Sequence, residues 1–186
     1  DRLQLIGLRM VAWAHCGLGD WDAGHRLLRE CLARALELQM PEIEAACANT
    51  LSQVAFRQQD MVARLHWNER ELTLRRHLGD RRQESMCLAN LGGSWLALGE
   101  LFQSRRCCEE ALQLARVRGE RRSECFPLYH LSVLERWLGN GAQAATLARS
   151  AADVAQATGI KDFELYTLTA LGEAELAAGQ LDAAGD

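Results

Sequence analysis

The sequence predicts an all-α fold, a right-handed α-solenoid of antiparallel helix pairs with about nine helices. Three observations carry this expectation. Only two of the 186 residues are proline, and 48% are apolar, which favours long helices over loops or disorder. Seven of the fifteen glycines fall at 19, 79, 99, 119, 139, 159 and 179, a twenty-residue grid whose vacant points are Gln39 and Gln59. Between grid points apolar residues recur at helical spacing, as in Leu88, Leu91, Trp95 and Leu98.

Taken in order, each interval reads as one helix of about 15–17 residues closed by a glycine in the left-handed C-terminal position. The first helix ends at Gly19, and Asp20 opens the second as a cap. The third begins at Pro41, which a first turn tolerates, and Asp60 caps the fourth. That second pair is the least regular, with Arg64 and Glu71 where the others have small or apolar residues. Asp80, Glu100, Glu120 and Asn140 open the fifth to eighth helices. Pro127 predicts that the seventh starts late or kinks. The ninth occupies 161–180, and Leu181–Asp186 read as the opening of a tenth.

Odd and even helices differ, so the repeat is a pair of forty residues: 1–40, 41–80, 81–120, 121–160 and a partial 161–186, read as one repeat domain spanning 1–186. One column holds Val11, Leu51, Leu91, Leu131 and Leu171, followed by Ala12, Ser52, Gly92, Ser132 and Gly172. An aliphatic residue beside a small one lets two helices approach closely. Gln4, Glu44, Glu84, Glu124 and Glu164 form a second column, which reads first as charge stabilisation of helix N-termini.

At Leu91-Gly92, Trp95, Leu98-Gly99, Ser104, Cys108 and Ala111-Leu112 the chain resembles a tetratricopeptide repeat (TPR). It departs in its forty-residue period, longer than that family's usual repeat, and in lacking the terminal proline. The longer period is similar to repeats in large ATP-binding bacterial regulators of the maltose-activator type. The resemblance implies a non-catalytic sensor or scaffold within a signalling or transcriptional regulator, its array lying between an NTPase module and an output domain. The alternative it implies is a stand-alone adaptor binding peptide segments of partner proteins.

The net charge of −4 gives no footprint for direct nucleic-acid binding, and no window suits a bilayer. The chain opens on Asp1 without a leader and is expected to begin inside a longer, cytoplasmic protein. Twenty of the 21 basic residues are Arg, Lys161 being the exception. Seven cysteines without a CxxC motif indicate neither a disulfide framework nor a zinc knuckle, and they read as small core residues. No P-loop, HExxH or nucleophile–base constellation is present, so the sequence points to no catalytic residue, metal or cofactor.

Binding is the expected role, because stacked pairs line a groove with their first helices. Opposite the small-residue column run Arg9, Trp13, Asn49, Gln53, Arg57, Tyr129 and Trp137, with Asn90 and His130 beside them. The rung Ala89, Gly93 and Ala97 is nearly bare, which suggests a recess with polar and aromatic walls for a peptide side chain or a small-molecule inducer. A second candidate surface is an arginine edge, Arg81, Arg82, Arg121 and Arg122, flanked by Arg75, Arg76, Arg116 and Arg118. It would meet an acidic neighbouring domain, or else pair with local carboxylates.

Overall fold

The computed structural model describes residues 1–179. Among them are nine α-helices: α1 (Arg2–Gly17), α2 (Trp21–Glu37), α3 (Pro41–Arg57), α4 (Met61–His77), α5 (Arg81–Ala97), α6 (Leu101–Val117), α7 (Cys125–Trp137), α8 (Gly141–Thr158) and α9 (Lys161–Ala177). No strand occurs among the described residues, and the expected opening of a tenth helix lies outside them.

The twenty-residue grid is a backbone requirement, and the structure shows its cause. All seven grid glycines have positive φ, and so do Gln39 (φ 50°) and Gln59 (φ 60°). Each left-handed residue turns the chain out of one helix, so the next can start about two residues later. A side chain in that conformation is disfavoured, which is why glycine holds most of these points. The N-terminal ends follow the sequence in part. Asp20 and Asp60 accept hydrogen bonds from the backbone N–H of Ala23 and Ala63, at 3.3 and 2.9 Å. Asp80 accepts one from Gln83 N–H at 3.2 Å. Asn140 does not cap; its amide donates to Glu135 instead. As Pro127 requires, α7 starts late, after a 3-10 turn at Arg121–Glu124.

The helices pack into two compact units, 1–84 and 85–186, with the boundary inside α5. In unit 1, one cluster joins Leu5, Cys31, Ala35, Ile43 and Cys47, and a second joins Ala12, Cys16, Leu28, Leu51 and Val54 beneath Trp13, Trp21 and Trp67. In unit 2, Cys108, Leu112, Cys125, Leu128, Leu131 and Val154 form one core. A layer of alanines (Ala144, Ala145, Ala148, Ala170 and Ala174) joins α8 to α9. Leu28 and Leu134 have no exposed surface, so truncating either to Ala costs about 2–5 kcal/mol.

Of the two glycines in the small-residue column, Gly92 makes the close approach its size allows, while nothing lies within 4 Å of a Cβ built on Gly172. A Cβ built on Gly92 would lie 2.3 Å from Cys108 Sγ and 3.3 Å from the Ser104 carbonyl, so α5 and α6 meet at a glycine notch filled by sulfur. In the first pair the parts are exchanged, with Gly24 of α2 against Cys16 Sγ of α1. A further contact recurs at a separation of 26 residues. The Cys31 thiol donates to the Leu5 carbonyl, the Ser85 hydroxyl to that of Ala111, and the Cys125 thiol to that of Ala151. All seven cysteines are buried, and none is in a disulfide among the described residues. Burial pushes the Cys108 thiol up to about 12, where the neighbouring Cys107 adds to the effect, and the Cys125 thiol up to about 11.

The glutamate column has a role beyond the one its sequence position suggests. Glu44 and Glu84 are buried and clamped by arginines: Glu44 by Arg70, and Glu84 by Arg76 and Arg81. Burial opposes ionisation of Glu84, but the two guanidinium hydrogen bonds and charges outweigh it and hold the carboxyl below the ordinary range. Glu135 is buried as well, and bonds from Asn140 (2.7 Å) and Arg105 (2.6 Å) likewise depress its pKa against the effect of burial.

Candidate functional site: a polar recess on unit 1

The groove residues of the first two pairs converge. Arg9 and Trp13, one turn apart on α1, and Asn49, Thr50 and Gln53 on α3 line an open recess of about 210 Å³. Helical periodicity accounts for the convergence, because residues four apart share a face and the small column turns the opposite face into the core. Arg9 is fixed from beneath: one guanidinium nitrogen donates to Thr50 Oγ1 at 3.0 Å, and the Thr50 hydroxyl donates to the Ala46 carbonyl at 2.9 Å. The bond to Thr50 is the one described hydrogen bond of the Arg9 side chain, whose planar guanidinium can donate in pairs.

Asn49 is oriented by a residue that breaks the repeat pattern. Its Nδ2 donates to Glu71 Oε2 at 3.0 Å, which turns its carbonyl oxygen and second N–H away from Glu71. The Glu71 side chain is only 1% exposed, and Arg75 approaches it at 3.5 Å while also reaching Asp80 at 3.3 Å. The carboxylate thus sits between a cation and an amide, the arrangement that makes a buried charge tolerable. The Arg57 guanidinium lies 4.7 Å above the Trp13 ring, so a cation and an aromatic face border one side of the recess. Gln53 is exposed and completes the set with a second amide. The recess therefore offers fixed cationic donors, two amides and an indole, chemistry that suits a carboxylate beside a polar backbone.

The remaining groove residues lie in unit 2. Tyr129 and His130 of α7 stand edge to face with centroids 5.3 Å apart. His130 fills the space above Gly93, where a Cβ would come within 2.7 Å of the ring, so imidazole covers part of the floor that the bare rung suggested. Phe163 of α9, which sequence reasoning did not single out, packs on Tyr129 at 5.1 Å and on Phe126 at 4.4 Å. It occupies an ordinary core-like position and carries no distinguishing sequence signal. Burial raises the Tyr129 hydroxyl pKa, and the charge of Glu173 adds to it. Asn90 is half-buried and Trp137, at the end of α7, is half-exposed.

Of the arginines expected to form an edge, Arg81 in unit 1 donates to Glu84 at 2.9 Å, and in unit 2 Arg116 and Arg118 approach Glu124 and Glu120 at 3.4 and 3.0 Å. Arg82, Arg121 and Arg122 are exposed. Among the described residues no group of three or more His, Cys, Asp or Glu side chains is placed to hold a metal ion, and no helix is long and apolar enough to cross a membrane.

No protein-family model matches the sequence. No curated protein matches it either. Solved structures do. The fold is similar to a signal-transduction ATPase with numerous domains (STAND) from Pyrococcus horikoshii that carries a tetratricopeptide repeat sensor, at a TM-score of 0.85 and 16% identity; 98% of this chain is covered, against 28% of that protein. It is also similar to the TPR-like repeats of a putative kinesin light chain from Podosopora anserina (TM-score 0.77, 15% identity, 98% and 90% covered). A third likeness is to aspartyl phosphate phosphatase F from Bacillus subtilis (TM-score 0.83, 10% identity, 98% and 48% covered). This chain thus spans about a quarter of the STAND protein and half of the phosphatase. Helix pairs of forty residues, glycine-type turns at each junction and these structural neighbours together show a TPR-like helical-repeat fold.

Proposed function

We propose that the chain is a non-catalytic binding scaffold whose recess on α1 and α3 takes an acidic group of a protein, peptide or small-molecule inducer. The observation that carries this reading is Arg9, held at its back by Thr50 and flanked by Asn49, Gln53 and Trp13. A guanidinium already anchored by one hydrogen bond loses little freedom on gripping a carboxylate. In this reading the chain is the sensor segment of a larger bacterial signalling or transcriptional regulator. The STAND protein supports it, because there a TPR sensor belongs to a multidomain ATPase. Seven buried thiols outside any disulfide fit a reducing, cytoplasmic setting. Tyr129, His130, Asn90 and Trp137 would form a separate aromatic contact on unit 2. Arg81, Arg82, Arg121 and Arg122 would meet acidic surfaces of neighbouring domains.

The alternative, a stand-alone adaptor for peptide segments, draws support from the kinesin light chain repeats, most of whose chain is matched. The two differ in gene context: an NTPase module before residue 1 or an output domain after residue 186 establishes the regulator. The binding chemistry is tested by a thermal-shift screen of short acidic peptides and small dicarboxylates. Ligands raise the melting temperature of the wild-type chain, and Arg9→Ala abolishes the shift while keeping its own melting within a few degrees. Acidic compounds that stabilise Arg9→Ala as well as wild type refute the assignment.

A further inference from the structure

The internal repeat reveals a second site, separate from the recess. Glu84 is held by two guanidinium groups, one on each oxygen: Arg76 Nε donates to Oε1 and Arg81 to Oε2, both at 2.9 Å. Glu124, forty residues on, is met by Arg116, which occupies the same column as Arg76. Forty residues earlier the carboxylate is Glu44, and the two arginine positions are Leu36 and Pro41. Where those side chains would lie, the α2–α3 turn carries an open cavity of about 330 Å³ lined by Ala35, Leu36, Gln39, Met40, Pro41 and Glu44. The carboxylate that the missing arginines would clamp stands in its wall.

Glu44 itself is built in as firmly as its counterparts. Its side chain is 9% exposed, and both Nε and NH2 of Arg70 donate to the single oxygen Oε1. No described hydrogen bond reaches Oε2. Leu36, Met40 and Pro41 line the same cavity as Glu44 and give it apolar surface of the kind that takes the methylene stem of a long cationic side chain. At the lip is Gln39, at a left-handed turn position that the three other inter-pair turns fill with Gly79, Gly119 and Gly159. Gln accepts the disfavoured conformation there and adds an amide at the cavity mouth.

We propose that this cavity is an arginine socket: a guanidinium-bearing side chain of a partner protein enters between Leu36 and Pro41 and bonds Glu44 Oε2, completing the two-arginine clamp that Glu84 has within its own chain. Charge complementarity selects the occupant, since the cavity is apolar apart from Gln39 and Glu44, whose carboxylate bonds Arg70 through Oε1 alone among the described hydrogen bonds. Lys would reach the same oxygen but without the planar fork. The recess around Arg9 takes the opposite charge and shares no residue with the socket, so each is read independently of the other.

The test is titration of the ¹⁵N-labelled chain with Nα-acetylarginine N-methylamide, followed through its backbone amide resonances, with the citrulline analogue as a neutral isostere. The arginine compound is expected to give saturable shifts confined to residues 36–44, and the citrulline compound none at the same concentrations. A second arm supplies the column's own arginine. Leu36 is half-exposed, so Leu36→Arg folds, places its guanidinium on Glu44 and weakens the added compound by at least about fivefold, the size of a solvent-accessible ion pair near 1 kcal/mol. No saturable shift at the turn, equal shifts with citrulline, or weakening of less than about fivefold in Leu36→Arg overturns the socket.

Discussion

The Gly92–Cys108 notch is the sharpest quantitative test of the packing between paired helices. A Cβ on Gly92 falls 2.3 Å from Cys108 Sγ, and Cys108 is wholly buried among Leu112, Cys125 and Leu128, so the sulfur has no open space to rotate into. Two effects compete in Gly92→Ala. Replacing a helix-interior glycine favours the helix by about 1 kcal/mol. Overpacking a close-packed core costs about 1–3 kcal/mol. The net expectation is a loss of about 1 kcal/mol. Cys108→Ala alone deletes one buried atom and costs a similar ~1 kcal/mol. In the double variant the new methyl enters the volume the sulfur leaves. Its stability therefore exceeds the sum of the single effects by about 1–2 kcal/mol, a positive coupling between residues in contact. Urea denaturation of the four proteins measures it, with equal m-values as the check on two-state comparison. Single effects that add to within ~0.5 kcal/mol would show that α5 and α6 do not meet as described.

Other expectations follow from the same physical terms. Gln59→Gly removes a left-handed side chain (φ 60°) and is expected to raise stability by about 1 kcal/mol; a lower denaturation midpoint would count against the strain. Glu84 and Glu135 have depressed folded pKa values. Their contribution to stability is therefore whole above the unfolded glutamate range and is lost as pH falls through the lower folded values. Acid titration of stability should steepen below about pH 4.5, and Arg76→Met should flatten that limb; an unchanged limb contradicts the clamp. The buried thiols, with Cys108 at about 12, should react with a disulfide reagent only on unfolding, so several fast-reacting thiols in the native chain would refute their placement.

The residues that broke the pattern proved the most informative. Gly19, Gly79 and the other grid glycines were legible because a left-handed turn imposes one residue type at a fixed interval. Gln39 and Gln59 show that the backbone keeps the turn where that residue type is relaxed. The core column was legible for the same reason at Leu51, Leu91 and Leu131, since burial on one helical face repeats with the pair, whereas Val11 of the same column is half-exposed. What could not be read were contacts set by how one helix meets the next. Glu84 looked like a helix N-terminal charge, and only packing brought Arg76 of the preceding helix onto it. Glu71 looked like a flaw in the second pair, yet its buried carboxylate orients Asn49 at the recess. Arg64, the other irregular residue, stacks 4.3 Å from the Phe56 ring. Periodicity describes what all repeats share, whereas a binding site is made where one repeat differs.

Recognition of negative charge by the recess rests on Arg9. It is tested by calorimetric titration of an acidic peptide found in the screen, and of its amidated counterpart, against wild type and Arg9→Ala. Amidation and Arg9→Ala are each expected to weaken binding about 10–100-fold, and the two together to weaken it little further, because both remove the same charge-assisted hydrogen bonds. An affinity that survives either change contradicts recognition through Arg9.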